Sequence, residues 1–200
     1  TKSFTAGVSL QQAFDAFALD MPYGAVSARV NNKTEGLDFK VYNNKDVEFL
    51  DITSDSGMRT YVRSLFFVLS KAIDDLYPDG EIFIEHPISK GYFCSLRIGR
   101  PVTSADVESI RLRMQEIIAA DMPITRIHCP TADAIKTFGQ GGRTDVTTLL
   151  ETAGRLYSTY YKLGDKEDFY YGSLLTSTGM IHLFEIQQFH DGLLLRVPSR

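Results

Sequence analysis

Apolar residues recur at three- and four-residue intervals along two long stretches of this chain and alternate along much of the rest. Met58, Tyr61, Val62, Leu65, Val68, Leu69, Ala72, Ile73 and Leu76 keep a helical period over almost twenty residues. They predict a long helix that stops at Pro78-Asp79-Gly80. Val107, Ile110, Met114, Ile117 and Ile118 predict a second one. Thr103 can cap its start, with Asp106 three residues on as a capping-box variant, and Pro123 closes it. A shorter helix over 10–19 gathers Leu10, Phe14, Phe17 and Ala18 on one face behind the N-cap candidate Ser9. Two further helices are predicted at 132–138 and 146–153, either side of Gly139-Gln140-Gly141-Gly142.

Strand candidates fill most of the remainder. Over 25–31, Val26, Ala28 and Val30 alternate with Ser27 and Arg29, as in a half-buried strand, and Asn31-Asn32 makes a turn. Further strands are predicted at 37–42, 47–52, 81–85, 91–97, 156–162, 169–171, 180–186 and 193–197. The fold class is therefore α+β. The texture changes from short strands to long helices near Asp51–Gly57, which divides the chain into a small β-grasp-like module, residues 1–53, and an α+β domain, residues 54–200.

Composition narrows the function classes. Twenty-one basic against 25 acidic residues give a net charge of −4, so the chain as a whole is no strongly cationic nucleic-acid binder. No apolar run is long enough to span a membrane, and the opening Thr1-Lys2-Ser3-Phe4 is no signal peptide. Two cysteines, Cys94 and Cys129, make no disulfide framework, so a reducing, cytoplasmic setting is expected. No glycine precedes a lysine, which excludes a GxxxxGK phosphate-binding loop. No histidine precedes a glutamate, and there is no GxSxG elbow.

His86, His128, His182, His190 and the two cysteines show no metal-ligand spacing, and the adjacent His128 and Cys129 point to opposite sides of an extended segment. No metal site is expected. Tyr157, Tyr160, Tyr161, Phe169, Tyr170 and Tyr171 admit two readings, a platform for stacking bases or ordinary sheet residues. Without interleaved arginines the second is preferred. Arg59, Arg63 and Lys71 share one side of the long helix, which suggests a solvated face more than a phosphate contact.

The stretches AGVSLQQAF, VSARVNN and VEFLD within residues 4–52 resemble the TGS module of threonyl-tRNA synthetase. LSKAIDDLYPDG, IEHPISKGYFC, PVTSADVESIRLRMQEIIAADMPI and EDFYYGSLLTSTGMIHLFEI are similar, in order, to that synthetase's editing domain. The resemblance implies a TGS-like unit, its first strand lying before Thr1, followed by an editing-like (SAD) domain. It also locates the editing site. The family's HxxxH pair falls on Arg63 and Phe67, and its CxxxH pair on Tyr170 and Leu174. None of the four carries imidazole or thiol, so hydrolysis of aminoacyl-tRNA in the family manner is not expected.

RTYVRSLFFVLSKA, EHPISKGYFC and FHDGLLLRVP resemble more closely the N-terminal region of uridine kinase-like nucleoside kinases of Bacteroidetes. That implies a non-catalytic regulatory or ligand-binding fragment whose parent phosphorylates a nucleoside. No cofactor is then expected in residues 1–200; ATP and Mg belong to the kinase domain. The implied partners are that C-terminal kinase domain and, at the altered pocket, tRNA or a small nucleotide or amino-acid ligand, with no membrane. The alternative is a tRNA-binding or editing module akin to the synthetase.

Overall fold

The computed structural model describes residues 2–198 and is an α+β fold with five α-helices among them. The first fifty residues form small sheets around one helix. β1 (Val8–Ser9) pairs antiparallel with β4 (Lys40–Val41). β3 (Lys33–Glu35), β2 (Ser27–Val30) and β5 (Val47–Leu50) make an antiparallel sheet in that order. α1 (Leu10–Phe17) starts at Ser9, whose hydroxyl accepts from Gln12 N while the Gln12 side chain accepts from Ser9 N. Leu10, Ala25, Ala28, Val30 and Leu37 form the core of this unit. α1 ends sooner than predicted, because Ala18 adopts a left-handed conformation (φ 48°) well before Pro22.

α2 (Asp55–Leu76) begins at the N-cap Ser54 and runs through the centre of the larger core. On one side lies a four-stranded antiparallel sheet of order β11-β12-β7-β6, built from β6 (Glu81–Ile88), β7 (Gly91–Arg97), β11 (Glu185–Phe189) and β12 (Gly192–Arg196). α3 (Ser104–Ala119) packs beside α2 with the capping box at Thr103 and Asp106. A three-stranded antiparallel sheet comprises β8 (Ile124–Pro130), β9 (Tyr157–Leu163) and β10 (Lys166–Asp168), in the order β10-β9-β8. α4 (Thr131–Gln140) and α5 (Thr144–Ala153) cover one of its faces around Ala134, Phe138, Val146, Leu150 and Tyr160.

Several expectations give way here. β8 occupies a segment for which no strand was predicted. The strand predicted over 169–171 lies instead at β10, and 180–186 opens with a single 3-10 turn, Thr178–Met180, before β11 begins at Glu185. Over 37–42 only Lys40–Val41 pairs, and Ser27, placed outside by alternation, is fully buried. The solvated face on α2 holds only at Arg59, which is exposed. Arg63 is partly buried and Lys71 is buried, because α2 is enclosed on most sides and not amphipathic. Burial works against the Lys71 charge, yet its bonds to Asp165 and Asp75 outweigh this and raise its pKa. At the junction Gly57 lies where a Cβ would sit 1.9 Å from the Asp51 carbonyl. Contacts do cross from one unit to the other: Val26 belongs to the larger core, and Met180 packs against both.

Candidate functional site

The segment between β10 and β11 has almost no sheet partner, so its backbone polar groups need other bonds. α2 supplies them from its side chains. Tyr61 donates its hydroxyl to Leu183 O at 2.9 Å and accepts from His182 N and Leu183 N. Ser64 accepts from Leu175 N at 2.8 Å, and Thr60 bonds the Ser173 hydroxyl at 2.9 Å. Arg63 donates from Nε to Ser173 O at 3.1 Å, with its guanidinium lying against Gly172. Gly172 has φ 109°, and any Cβ there would meet that guanidinium at 2.8 Å. On the opposite side Tyr161 donates its hydroxyl to Gly172 O at 2.8 Å. A loop irregular in its own sequence is thus fastened by a helix a hundred residues earlier.

The four positions singled out by the sequence meet in this loop. Phe67 is fully buried and packs its ring on Tyr170, with centroids 5.3 Å apart. Leu174 is buried in the same core. Burial drives the Tyr170 phenol well above its ordinary pKa and pulls the Arg63 guanidinium below its own. Phenylalanine and leucine have no lone pair to offer a proton or a metal, and the guanidinium is engaged with a carbonyl. Among the described residues no three His, Cys, Asp or Glu side chains gather in metal-binding geometry.

Beside the fastened loop an open cleft of about 400 Å3 remains. Its floor includes residues of β8 and β9 that point away from α4 and α5, and Leu149, Leu150 and Ala153 of α5 close one end. The two-residue period of β8 sends Ile127 and Cys129 to the helices and Arg126 and His128 to the cleft. Register brings Tyr161 opposite Arg126, Thr159 opposite His128 and Tyr157 opposite Pro130. The His128 imidazole bonds Thr159 Oγ1 through Nδ1 at 3.0 Å and stacks on Tyr157, with centroids 5.4 Å apart and planes 20° from parallel. Arg155 and Tyr171 form part of the wall, and Lys33–Gly36 of the small unit form the far side. Lys33 is paired with Glu35 at 2.7 Å. Neither the Arg126 nor the Arg155 guanidinium makes a hydrogen bond or ion pair among the described residues. Burial raises the pKa of the nearby Asp38 carboxyl, opposed by the Arg126 charge.

The six aromatics divide between the two readings. Tyr160 and Tyr161 are buried sheet residues, whereas Tyr157 and Tyr171 are 57% and 64% exposed at the cleft. The arginine missing between them in sequence comes from across the ladder, at Arg126. Sequence reasoning did not find this group, although the alternation of Arg126 and His128 with Ile127 and Cys129 carried the signal.

No family profile matches the chain. Curated relatives do. The threonine–tRNA ligase of Acetivibrio thermocellus is 24% identical over 187 residues, covering 92% of this chain and 29% of that protein. Threonine–tRNA ligase 2 of Bacillus subtilis is 25% identical over 186 residues, 92% of this chain and 29% of its own length. For the Methylococcus capsulatus enzyme the match is 25% over 189 residues, 94% of this chain and 30% of the relative. Over nine-tenths of its residues, this chain is therefore similar to a stretch that makes up less than a third of threonine–tRNA ligases.

Proposed function

We propose that residues 1–200 form a non-hydrolytic RNA-binding module of the threonyl-tRNA synthetase kind, with tRNA as its partner. The observation that carries this reading is the filling of the former editing position. Phe67 and Leu174 are closed into the core, Tyr170 lies on Phe67, and Arg63 holds a carbonyl. Similarity to threonine–tRNA ligases supports the choice of partner, and the neighbouring cleft with Arg126 and Arg155 leaves a surface for RNA. The division into residues 1–53 and 54–200 is part of the same proposal.

The test has two arms. Incubated with a misacylated threonine tRNA, the purified chain leaves the ester to decay at its spontaneous rate. In a mobility-shift assay the same chain retards tRNA, and retention falls steeply as salt rises. Catalysed deacylation, or no retardation at low salt, would overturn the reading. The finer expectation of a nucleoside-kinase parent, with its ATP, Mg and intramolecular kinase-domain partner, draws on the residue stretches alone. A GxxxxGK motif encoded beyond codon 200 is its test.

A further inference from the structure

We infer that the cleft between β3, the β8–β9 face and the 169–173 loop binds a nucleoside phosphate unit, with the base on the exposed ring of Tyr157 and the phosphate on the guanidinium of Arg155. This rests on the proposed role as a binding module and assigns that role to named residues.

Three features converge. First, the volume of about 400 Å3 lies in the range of small-molecule sites and is enough for one nucleotide. Second, the imidazole of His128 is already stacked on the ring of Tyr157 with the two planes nearly parallel, which fixes the orientation of the Tyr157 ring. The Thr159 hydroxyl holds the imidazole from turning, so little side-chain freedom is lost on stacking. Tyr157 is more than half exposed, and an aromatic plane open to solvent gains by covering itself with another π face. Tyr171, set edge-on against Phe169 at 5.0 Å, offers a second exposed ring at the wall. Third, one guanidinium at this face is uncommitted, because Arg126 already acts on the nearby Asp38 carboxyl whereas Arg155 does not. Lys33 is neutralised by Glu35, while the guanidinium of Arg155 has no carboxylate ion-paired to it among the described residues. Guanidinium recognises phosphate through paired N–H donors, at which lysine is poorer.

One chemistry, a base carrying a phosphate, can come from two sources: a free mononucleotide or a nucleotide within an RNA strand. The experiment separates them. Calorimetric titration of the 200-residue protein with adenosine 5′-monophosphate tests the free ligand. Fluorescence anisotropy with an end-labelled single-stranded RNA tests the strand. Each is repeated for Tyr157→Ala and Arg155→Gln, two surface substitutions, and for Tyr42→Ala, an exposed tyrosine on the small unit away from the cleft. Losing one stacking ring or one charged contact is expected to weaken binding about tenfold, and Tyr42→Ala leaves it unchanged.

Binding of the mononucleotide with that pattern supports the inference and assigns the site to free nucleotides. Binding of the RNA alone with the same pattern supports it and assigns the site to a strand. Inorganic phosphate binding as tightly as the mononucleotide would overturn it, since the rings would then contribute nothing. So would RNA or tRNA binding indifferent to Tyr157→Ala and Arg155→Gln; that result leaves the tRNA-binding proposal standing and removes only this cleft. Loss of tRNA binding with retention of the mononucleotide would separate the two in the opposite sense.

Discussion

Replacing Asp106 should cost this protein a large part of its stability, and the cost can be worked from the bonds it makes. Asp106 is 6% exposed, at the third position of α3. Oδ2 accepts from Arg100 Nη1 at 2.7 Å, from Thr103 N at 2.9 Å and from Thr103 Oγ1 at 2.7 Å. Oδ1 accepts from Arg100 Nη2 at 2.7 Å and from the Tyr77 hydroxyl at 2.8 Å. One carboxylate therefore joins the end of α2 to the start of α3. In Asp106→Ala the Thr103 cap loses its reciprocal half, worth about 1 kcal/mol. The Tyr77 hydroxyl loses a charged acceptor in a partly buried place, worth about 1.5 kcal/mol. Arg100 is half exposed and regains water, so its share is small. The expected loss is about 2.5 kcal/mol at pH 7.

The same bonds, those of Arg100 first, hold the Asp106 carboxyl far below the usual carboxylate range. A depressed folded-state pKa contributes stability at pH values above the unfolded pKa of about 3.9, and that contribution is lost as pH falls below it. The gap between the unsubstituted protein and Asp106→Ala should thus be constant from about pH 8 to about pH 5 and shrink below about pH 4. Urea denaturation followed by far-UV circular dichroism measures it, with the slope m as the check that the same surface unfolds. A loss under about 1 kcal/mol at unchanged m, or a gap that stays constant down to about pH 3, would refute the reasoning.

Four other outcomes are expected. Phe67→Ala should cost about 3–5 kcal/mol by urea denaturation, because the fully buried ring supports Tyr170 and nothing fills its place. Ser27→Ala should be neutral or stabilising by about 1 kcal/mol in the same assay, since its buried hydroxyl has no partner among the described residues. A chain starting at Asp51 should still unfold cooperatively, at a lower urea midpoint because it lacks Val26, which belongs to the larger core; a molten product would show that the two units are one. Cys94, whose thiol burial pushes up to about 12, should react with a thiol reagent near pH 8 only as fast as the protein unfolds, whereas Cys129 reacts sooner.

The long helices, their caps and the α+β class could be derived from residue order because each rests on local physics. The period of α2 and α3 is set by 3.6 residues per turn, and Ser9 and Thr103 cap through bonds to residues three positions away. Resemblance indicated four positions of interest, Arg63, Phe67, Tyr170 and Leu174. It could not say that Arg63 would turn inward to a carbonyl, because that carbonyl belongs to Ser173, 110 residues further on. The same reason explains the misplaced strands near 169–171 and 180–186. Their residues favour extended backbone, but the hydrogen bonds that settle the matter come from Tyr61, Ser64 and Arg63 on α2. The cleft depended most on tertiary structure. Arg126 and Tyr161 meet only through the β8–β9 register, and His128 meets Tyr157 only across that ladder. Residue order specified which side chains each strand turns to one face; the pairing of strands far apart in the chain decided which of those faces meet, and so where Arg126 and Arg155 stand beside two exposed rings.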